Sequence, residues 1–339
     1  MASRLTRKGF LLGTGASAAT LGLRPARATP HYTIRCGIDL PANHPIPANV
    51  TTAAARVKEE TKGAVDIQVF PNNELGDDTH MLSAIRSGAI QMMPIGDSDL
   101  AVLVPEASIT NIGFAFKDSD TAYRAVDGKV GDMVRPLIEK AGLHPLARVW
   151  DEGLRQMTSG TKPIERPQDL HGFLMRVPPS PIMLSLFKSL GAGPVTINLA
   201  ELYTALQTHV ADGEENSLAV IAFERLYEVQ KYCSITNHMW IGYWILVNGT
   251  YWNTLPTAYQ EVIESAFNDA ALTERRQIQA LNASLQTKLI QDGMIFSTPD
   301  QAPFREALVA SGFYAKWRAT FGADLWSALE AYSGPLGTG

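Results

Sequence analysis

The feature that most constrains the fold is the regular exchange of strand and helix patterns over the first hundred residues after residue 30. Residues 32–40 read as a strand, closed by Pro41, Pro45 and Pro47. A helix pattern follows over about 48–61 and stops at Gly63. Residues 65–70 alternate again, with Val65, Ile67 and Val69 on one face. A helix over 78–87 ends at Gly88, and 90–95 reads as a third strand. Strands separated by helices imply parallel βαβ units with right-handed crossovers. Such sheets bind ligands beyond the carboxyl ends of their strands.

One position at such an end stands out. In Gly172-Phe173-Leu174-Met175-Arg176-Val177-Pro178-Pro179-Ser180-Pro181, Phe173, Met175 and Val177 share one strand face, and Leu174 and Arg176 the other. Pro178 ends the strand. Ser180 reads as a helix N-cap and Pro181 as the first helical residue. Ile182, Met183, Leu186, Phe187 and Leu190 give that helix an apolar face. Arg176 thus sits near a strand end and a helix start, where a planar guanidinium favours a carboxylate. A surface arginine or a structural ion pair fits the strand pattern equally well.

The ends and the charge bound the class. Arg4, Arg7 and Lys8 precede a stretch of small residues and leucine over 11–23, and Ala26-Arg27-Ala28 fits a cleavage site. Residues 1–28 therefore read as an export leader, with the mature chain starting at Thr29. Thr6-Arg7-Lys8-Gly9-Phe10-Leu11-Leu12 resembles a twin-arginine signal with lysine as the second base, which leaves Tat and Sec open. Gly13-x-Gly15-x-x-Ala18 is a formal dinucleotide fingerprint inside that leader, with no strand before it, and is set aside. The formal charge of −5 becomes −10 without the leader's five bases. That argues against nucleic acid as a partner but not against a small anion. Cys36 and Cys233 sit in apolar runs and read as buried free thiols. The seven histidines form no metal spacing, and neither a metal nor a cofactor is expected.

Roughly 310 mature residues suggest two domains. Residues 123–141 read as one amphipathic helix, 143–149 as a strand, 210–216 as a strand and turn, and 241–247 as a strand crossing back. Asn198 and Glu201 make a capping-box pattern. The longest helical pattern, 256–291, exceeds one small domain and is expected to brace both.

Joined together, these segments resemble the periplasmic solute-binding proteins of tripartite ATP-independent periplasmic (TRAP) transporters, DctP type. The resemblance rests on Asn73-Glu74-Leu75-Gly76-Asp77-Asp78, on Gly153-Leu154-Arg155-Gln156 with Lys162-Pro163-Ile164, and on Asp169-Leu170-x-Gly172 through Ser180-Pro181. Glu201-Leu202-Tyr203-x-Ala205-Leu206-Gln207 through Asp212-Gly213-Glu214-Glu215-Asn216 adds a fourth stretch, and Tyr227 to Tyr232 and Thr236-Asn237-His238 extend it. It implies an α/β, periplasmic-binding-protein-like fold: two α/β domains joined by crossing hinge strands and a long domain-spanning helix. The expected division is 29–153 with about 242–280 in the first domain and 154–241 with about 300–335 in the second.

The resemblance implies that Arg176 holds the ligand carboxylate, that Arg155 assists, and that Asn216 hydrogen-bonds the ligand. Glu214 and Ser217 stand where the family usually has glutamine and proline. Asp97 lies where members often present a ligand-selecting group. Other positions have two readings. Trp240, Tyr243 and Trp244 either form domain core or offer a ring to the ligand. Asp151, just after Trp150, pairs with Arg155 or touches ligand. Asn43 and His44 follow the first strand and are either structural or at the site. Asp77 and Asp78 read chiefly as helix caps.

The implied function is a periplasmic receptor that delivers a small organic acid to TRAP permease membrane subunits, acting as a monomer and without chemistry. An enzyme acting on a carboxylate would need a base, nucleophile or metal near the arginines. Asp97 and Glu215 are the candidates for a base, and nothing selects either. A receptor presenting its closed form to a sensor kinase is the third reading.

Overall fold

The computed structural model describes residues 31–337. The expected leader, its cleavage site and the twin-arginine-like motif lie outside the described residues.

Among the described residues eleven strands form the sheet framework: β1 Tyr32–Gly37, β2 Val65–Phe70, β3 Met92–Gly96, β4 Leu143–Pro145, β5 Trp150–Ser159, β6 Leu174–Val177, β7 Gly193–Thr196, β8 Gly213–Ser217, β9 Tyr232–Ser234, β10 Trp240–Asn248 and β11 Ile295–Ser297. The main path runs β2-β1-β3-β10-β5-β8-β6-β7. Its two flanks are parallel (β2-β1-β3 and β8-β6-β7), as the strand–helix exchange requires. Between them β10 and β5 run antiparallel to their neighbours.

β5 carries the chain from one flank to the other. Trp150 to Leu154 pair with β10, and Arg155 to Ser159 pair with β8. Gly153, at the switch, has φ +115, a conformation that residues with a side chain rarely adopt. The register of β10 against β5 also shifts at Ile241/Gly242. A Cβ on Gly242 would lie 2.5 Å from Val149 and 2.4 Å from the Trp240 ring, so only glycine fits this crossing.

The helix Thr257–Gln291 is 35 residues long, roughly 52 Å at 1.5 Å per residue. Its Ile263, Ala266, Phe267, Ala270 and Ala271 belong to the larger hydrophobic core, and Ile278, Leu285 and Leu289 to the smaller one. One helix therefore stitches both cores. Midway, Arg275 donates to Asp127 at 2.7 and 2.9 Å and to the Val149 carbonyl at 3.1 Å, and Glu274 accepts from the Asp151 N–H at 3.0 Å. The helix is thereby fixed to the first turn of the crossing strand.

Several expectations need correction. The first helix is Pro45–Glu60, starting three residues before the expected position. Both prolines lie in its first turn, where a missing N–H breaks no bond, and His44 is the N-cap. The pattern over 123–141 is two helices, Ser119–Val126 and Lys129–Lys140, parted at Gly128. A Cβ there would stand 2.7 Å from the Arg124 carbonyl oxygen. Residues 143–149 keep only the short β4, while β5 begins at Trp150. The C-terminal segment touches several earlier elements. Helix Ala302–Ala310 packs on Pro181–Ser189, but Ala323–Ser333 packs on Ser119–Val126 and Lys129–Lys140. Its Leu325, Trp326 and Leu329 join the larger core.

Cys36 and Cys233 are buried and free. Among the described residues no helix is long and apolar enough to cross a membrane.

Candidate functional site

A cleft lies over the strand ends where the two flanks meet. Arg176 reaches it from β6, Arg155 from β5, Asn216 from β8 and Tyr243 from β10. Asp39, Asp78, Gly96, Ser98 and Asp99 line the opposite wall. The walls stand close together, leaving a cavity of about 30 Å³ between them. Asp78 and Asp99 also border an adjoining hollow of about 160 Å³. The lip is bridged from both sides: the Asn198 amide donates to Asp77 at 3.1 Å and accepts from the Thr79 hydroxyl at 3.4 Å.

Arg176 is 2% exposed. The sequence puts it there because β6 ends at Val177 and the prolines that follow start the helix Pro181–Ser189. Its Nε donates to the Ile197 carbonyl at 2.8 Å. That is the one side-chain hydrogen bond it makes among the described residues, and it forms no ion pair there. The two terminal nitrogens of its fork are left for the cleft. Burial lowers its pKa, and the charge of Glu214 works in the other direction.

Arg155 is in the opposite condition. Nε donates to Glu215 Oε2 at 2.6 Å, Nη2 to Glu215 Oε1 and to the Glu215 carbonyl at 2.8 and 2.6 Å, and Nη1 to Glu152 at 2.6 Å. Of five N–H groups one remains. Burial works against its charge, but Glu152 and Glu215 outweigh burial and hold its pKa well above the usual value. Glu215 is pulled below the usual carboxylate range: burial raises it, and Arg155 and the hydrogen bond with His238 more than reverse that. Glu215 is thus a structural counter-ion buried beneath Arg155, outside the cleft lining.

Asn216 lines the cleft, and its amide donates to Glu214 at 2.6 Å. Glu214 also accepts from Thr158 at 2.7 Å. Burial pushes the Glu214 carboxyl up to about 7 against the Thr158 and Asn216 hydrogen bonds and the Arg176 charge. The glutamate at this position therefore orients the asparagine.

The other expected positions lie elsewhere. Asp97 points behind the cleft. It accepts from Thr110 at 2.6 Å, Asn111 at 2.8 Å and the Gly242 N–H at 3.2 Å, so it ties the end of β3 to β10. Trp240 is core. Its indole N–H donates to Asp151 at 2.6 Å, and its ring meets Phe116 and Tyr123 edge-on. Asp151 is taken by Trp240 and by the Tyr123 hydroxyl, not by Arg155. Asn43 is exposed in the turn before Pro45–Glu60 and does not line the cleft. His44 Nδ1 accepts from the Ile46 N–H, its ring lies edge-on to Phe223 at 5.7 Å, and burial pushes its pKa down to about 3. Asp77 caps the helix Asp78–Ser87, accepting from the His80 N–H at 2.8 Å, while Asp78 faces the cleft.

Sequence reasoning missed Asp39, Asp99 and Glu152 and gave Asp78 a capping role. Each acid follows a strand end or sits inside a buried strand, and that position was the available signal. Asp39 Oδ2 accepts from Tyr243 at 2.9 Å and Asp99 Oδ2 from Ser98 at 2.9 Å.

A mixed sheet with parallel flanks, two crossing strands, one long bracing helix and a polar cleft over the strand ends is the framework of a solute receptor. The family model of the bacterial extracellular solute-binding proteins, family 7 (DctP), matches residues 36–315. The chain belongs to this family, the solute receptors of TRAP transporters. It is 32% identical over 258 residues to the 2,3-diketo-L-gulonate-binding periplasmic protein YiaO of Escherichia coli, covering 74% of this chain and 77% of that protein. It is 31% identical over 268 residues to the C4-dicarboxylate-binding periplasmic protein DctP of Rhodobacter capsulatus, covering 78% and 80%. The crystal structure of a TRAP periplasmic solute-binding protein from Sulfurospirillum deleyianum, with bound succinate, matches with a TM-score of 0.84 at 28% identity, covering 90% of this chain and all of that one.

Proposed function

We propose that this chain is a periplasmic receptor that captures a small organic acid in the cleft and passes it to the membrane subunits of a TRAP permease. The observation that carries this is the condition of Arg176: buried, charged, and with both terminal nitrogens unclaimed by protein. A carboxylate leaving water loses strong hydration and regains it only through charge-assisted hydrogen bonds. The Arg176 fork offers two in one plane. The remaining N–H of Arg155 and the side chain of Asn216 complete the anchor. Asp97 and Trp240 hold the crossing strands instead of touching ligand, and Asn43 stays outside.

The chain acts as an exported monomer without chemistry of its own. The carboxylates that a base would need are engaged: Glu215 by Arg155 and His238, and Asp97 by Thr110, Asn111 and Gly242. The ligand favours the closed form only through contacts made to both flanks at once.

The test is a thermal-shift screen of the chain from Thr29 onward against several hundred small acids. A ligand at a hundredfold excess over its Kd stabilises the native state by about 2.7 kcal/mol. The expected result is a clear rise in melting temperature with one chemical class of acid. A preparation shown by mass spectrometry to be ligand-free, and unmoved by every acid, contradicts the reading.

A further inference from the structure

The wall opposite Arg176 has the wrong charge for a second carboxylate. Glu152 and Glu215 neutralise Arg155, so the free charge of Arg176 faces Asp39, Asp78 and Asp99. These acids come from three segments: the turn after β1, the start of helix Asp78–Ser87, and the short helix Asp97–Leu100. No lysine or histidine lines the cleft with them, and its arginines are Arg155 and Arg176.

Two further observations point to a ligand. Asp39 is 3% exposed, yet its Oδ1 has no hydrogen-bond partner, and neither has Oδ1 of Asp99. Across the same space the terminal nitrogens of Arg176 are also unclaimed, so donors and acceptors of opposite charge wait at the two ends of one cleft.

We propose, resting on the carboxylate-receptor reading, that the ligand is a zwitterion whose carboxylate lies on Arg176 and whose ammonium group lies against Asp39, Asp78 and Asp99. An ammonium supplies N–H donors to the unpartnered oxygens and compensates charges that burial would otherwise leave exposed to one another. A second carboxylate there meets like charge. A hydroxyl donates one hydrogen bond and leaves the charge uncompensated. A cation beside these acids would oppose the upward shift that burial gives them. Burial pushes Asp39 up to about 7 and Asp99 to about 6, and it raises Asp78 well above its usual range, with Asp39 and Asp99 adding to the shift. The adjoining hollow, bordered by Asp78, Asp99, Leu82, Leu103 and Arg86, lies beyond the acids as seen from Arg176.

The probes are three sets of matched four-, five- and six-carbon acids: the diacid, the ω-hydroxy acid and the ω-amino acid of each length (succinate, 4-hydroxybutyrate and 4-aminobutyrate are the shortest). Calorimetry on the wild-type chain is expected to show, at one length or more, the amino acid binding at least tenfold tighter than its diacid and its hydroxy acid. Asp39→Asn together with Asp99→Asn is expected to erase that preference while retaining binding of the carboxylate end. The wild-type ranking stands alone if that double variant fails to fold. A diacid or hydroxy acid that binds as well as its amino partner overturns the zwitterion and leaves the carboxylate receptor standing. If none of the nine binds, the best acid from the broad screen decides: a hit with a basic nitrogen supports the inference, and one without it overturns the inference. No binding by any acid overturns both readings.

Discussion

Arg176→Lys is expected to weaken binding of the cognate acid at least tenfold, read by calorimetry at fixed pH and salt. Lysine keeps the positive charge, so a purely electrostatic role predicts little change. The fork is what lysine lacks. Arg176 spends Nε on the Ile197 carbonyl, which fixes the plane of the guanidinium and aims both terminal nitrogens at the cleft. A lysine ammonium is a hydrated point charge on a flexible stem and presents no such pair. A hydrogen bond to a charged group contributes about 1.5–3 kcal/mol, and losing one exceeds the 1.4 kcal/mol that equals a factor of ten. The melting temperature of the ligand-free variant should stay near that of the wild type, since Arg176 has no ion pair to lose. Equal affinity in the two proteins would remove Arg176 from the site.

Arg155→Met should act on the fold first. The substitution strands Glu152 and Glu215, both essentially inaccessible to water, without their counter-ion. Breaking a buried pair in this way costs about 3–5 kcal/mol. At about 2–4 °C per kcal/mol, the melting temperature of a chain somewhat shorter than this one would fall by about 6–20 °C, and that of this chain should fall by somewhat less. Adding Glu152→Leu and Glu215→Leu should recover much of the loss, because apolar residues of similar size often replace a buried ionic cluster without penalty. A single variant that melts with the wild type would show that the cluster is not what holds β5 to β8. The two arginines thus separate by effect: Arg176 through affinity, Arg155 through stability.

The parallel flanks, the long helix and the place of Arg176 were legible in the sequence because each rests on a strong local pattern. β6 is a short alternating strand closed by proline, and Thr257–Gln291 repeats its apolar positions at helical spacing. The crossing strand β5 was not legible. Its Asp151, Glu152, Arg155, Gln156 and Thr158 are all buried, so polar partners from other segments, and not apolar alternation, make it a strand. β8 is similar: Gly213–Ser217 is entirely buried and carries no large apolar residue. The acidic wall was missed for a related reason. Asp39, Asp78 and Asp99 are far apart in sequence, each with an innocent local role as turn or cap residue, and only the closed sheet sets them opposite Arg176. Conversely, Trp240 could be read as core or as a ring offered to the ligand, because an aromatic cluster does not reveal which ring turns inward. The Asp151 acceptor fixes it in the core.

The most direct test of the account is a crystal structure of the chain with the strongest acid from the screen. The account predicts density in the cleft with one carboxylate within hydrogen-bonding distance of both terminal nitrogens of Arg176, beside Asn216 and the remaining N–H of Arg155. A ligand whose carboxylate sits elsewhere, with Arg176 still uncontacted, would contradict it.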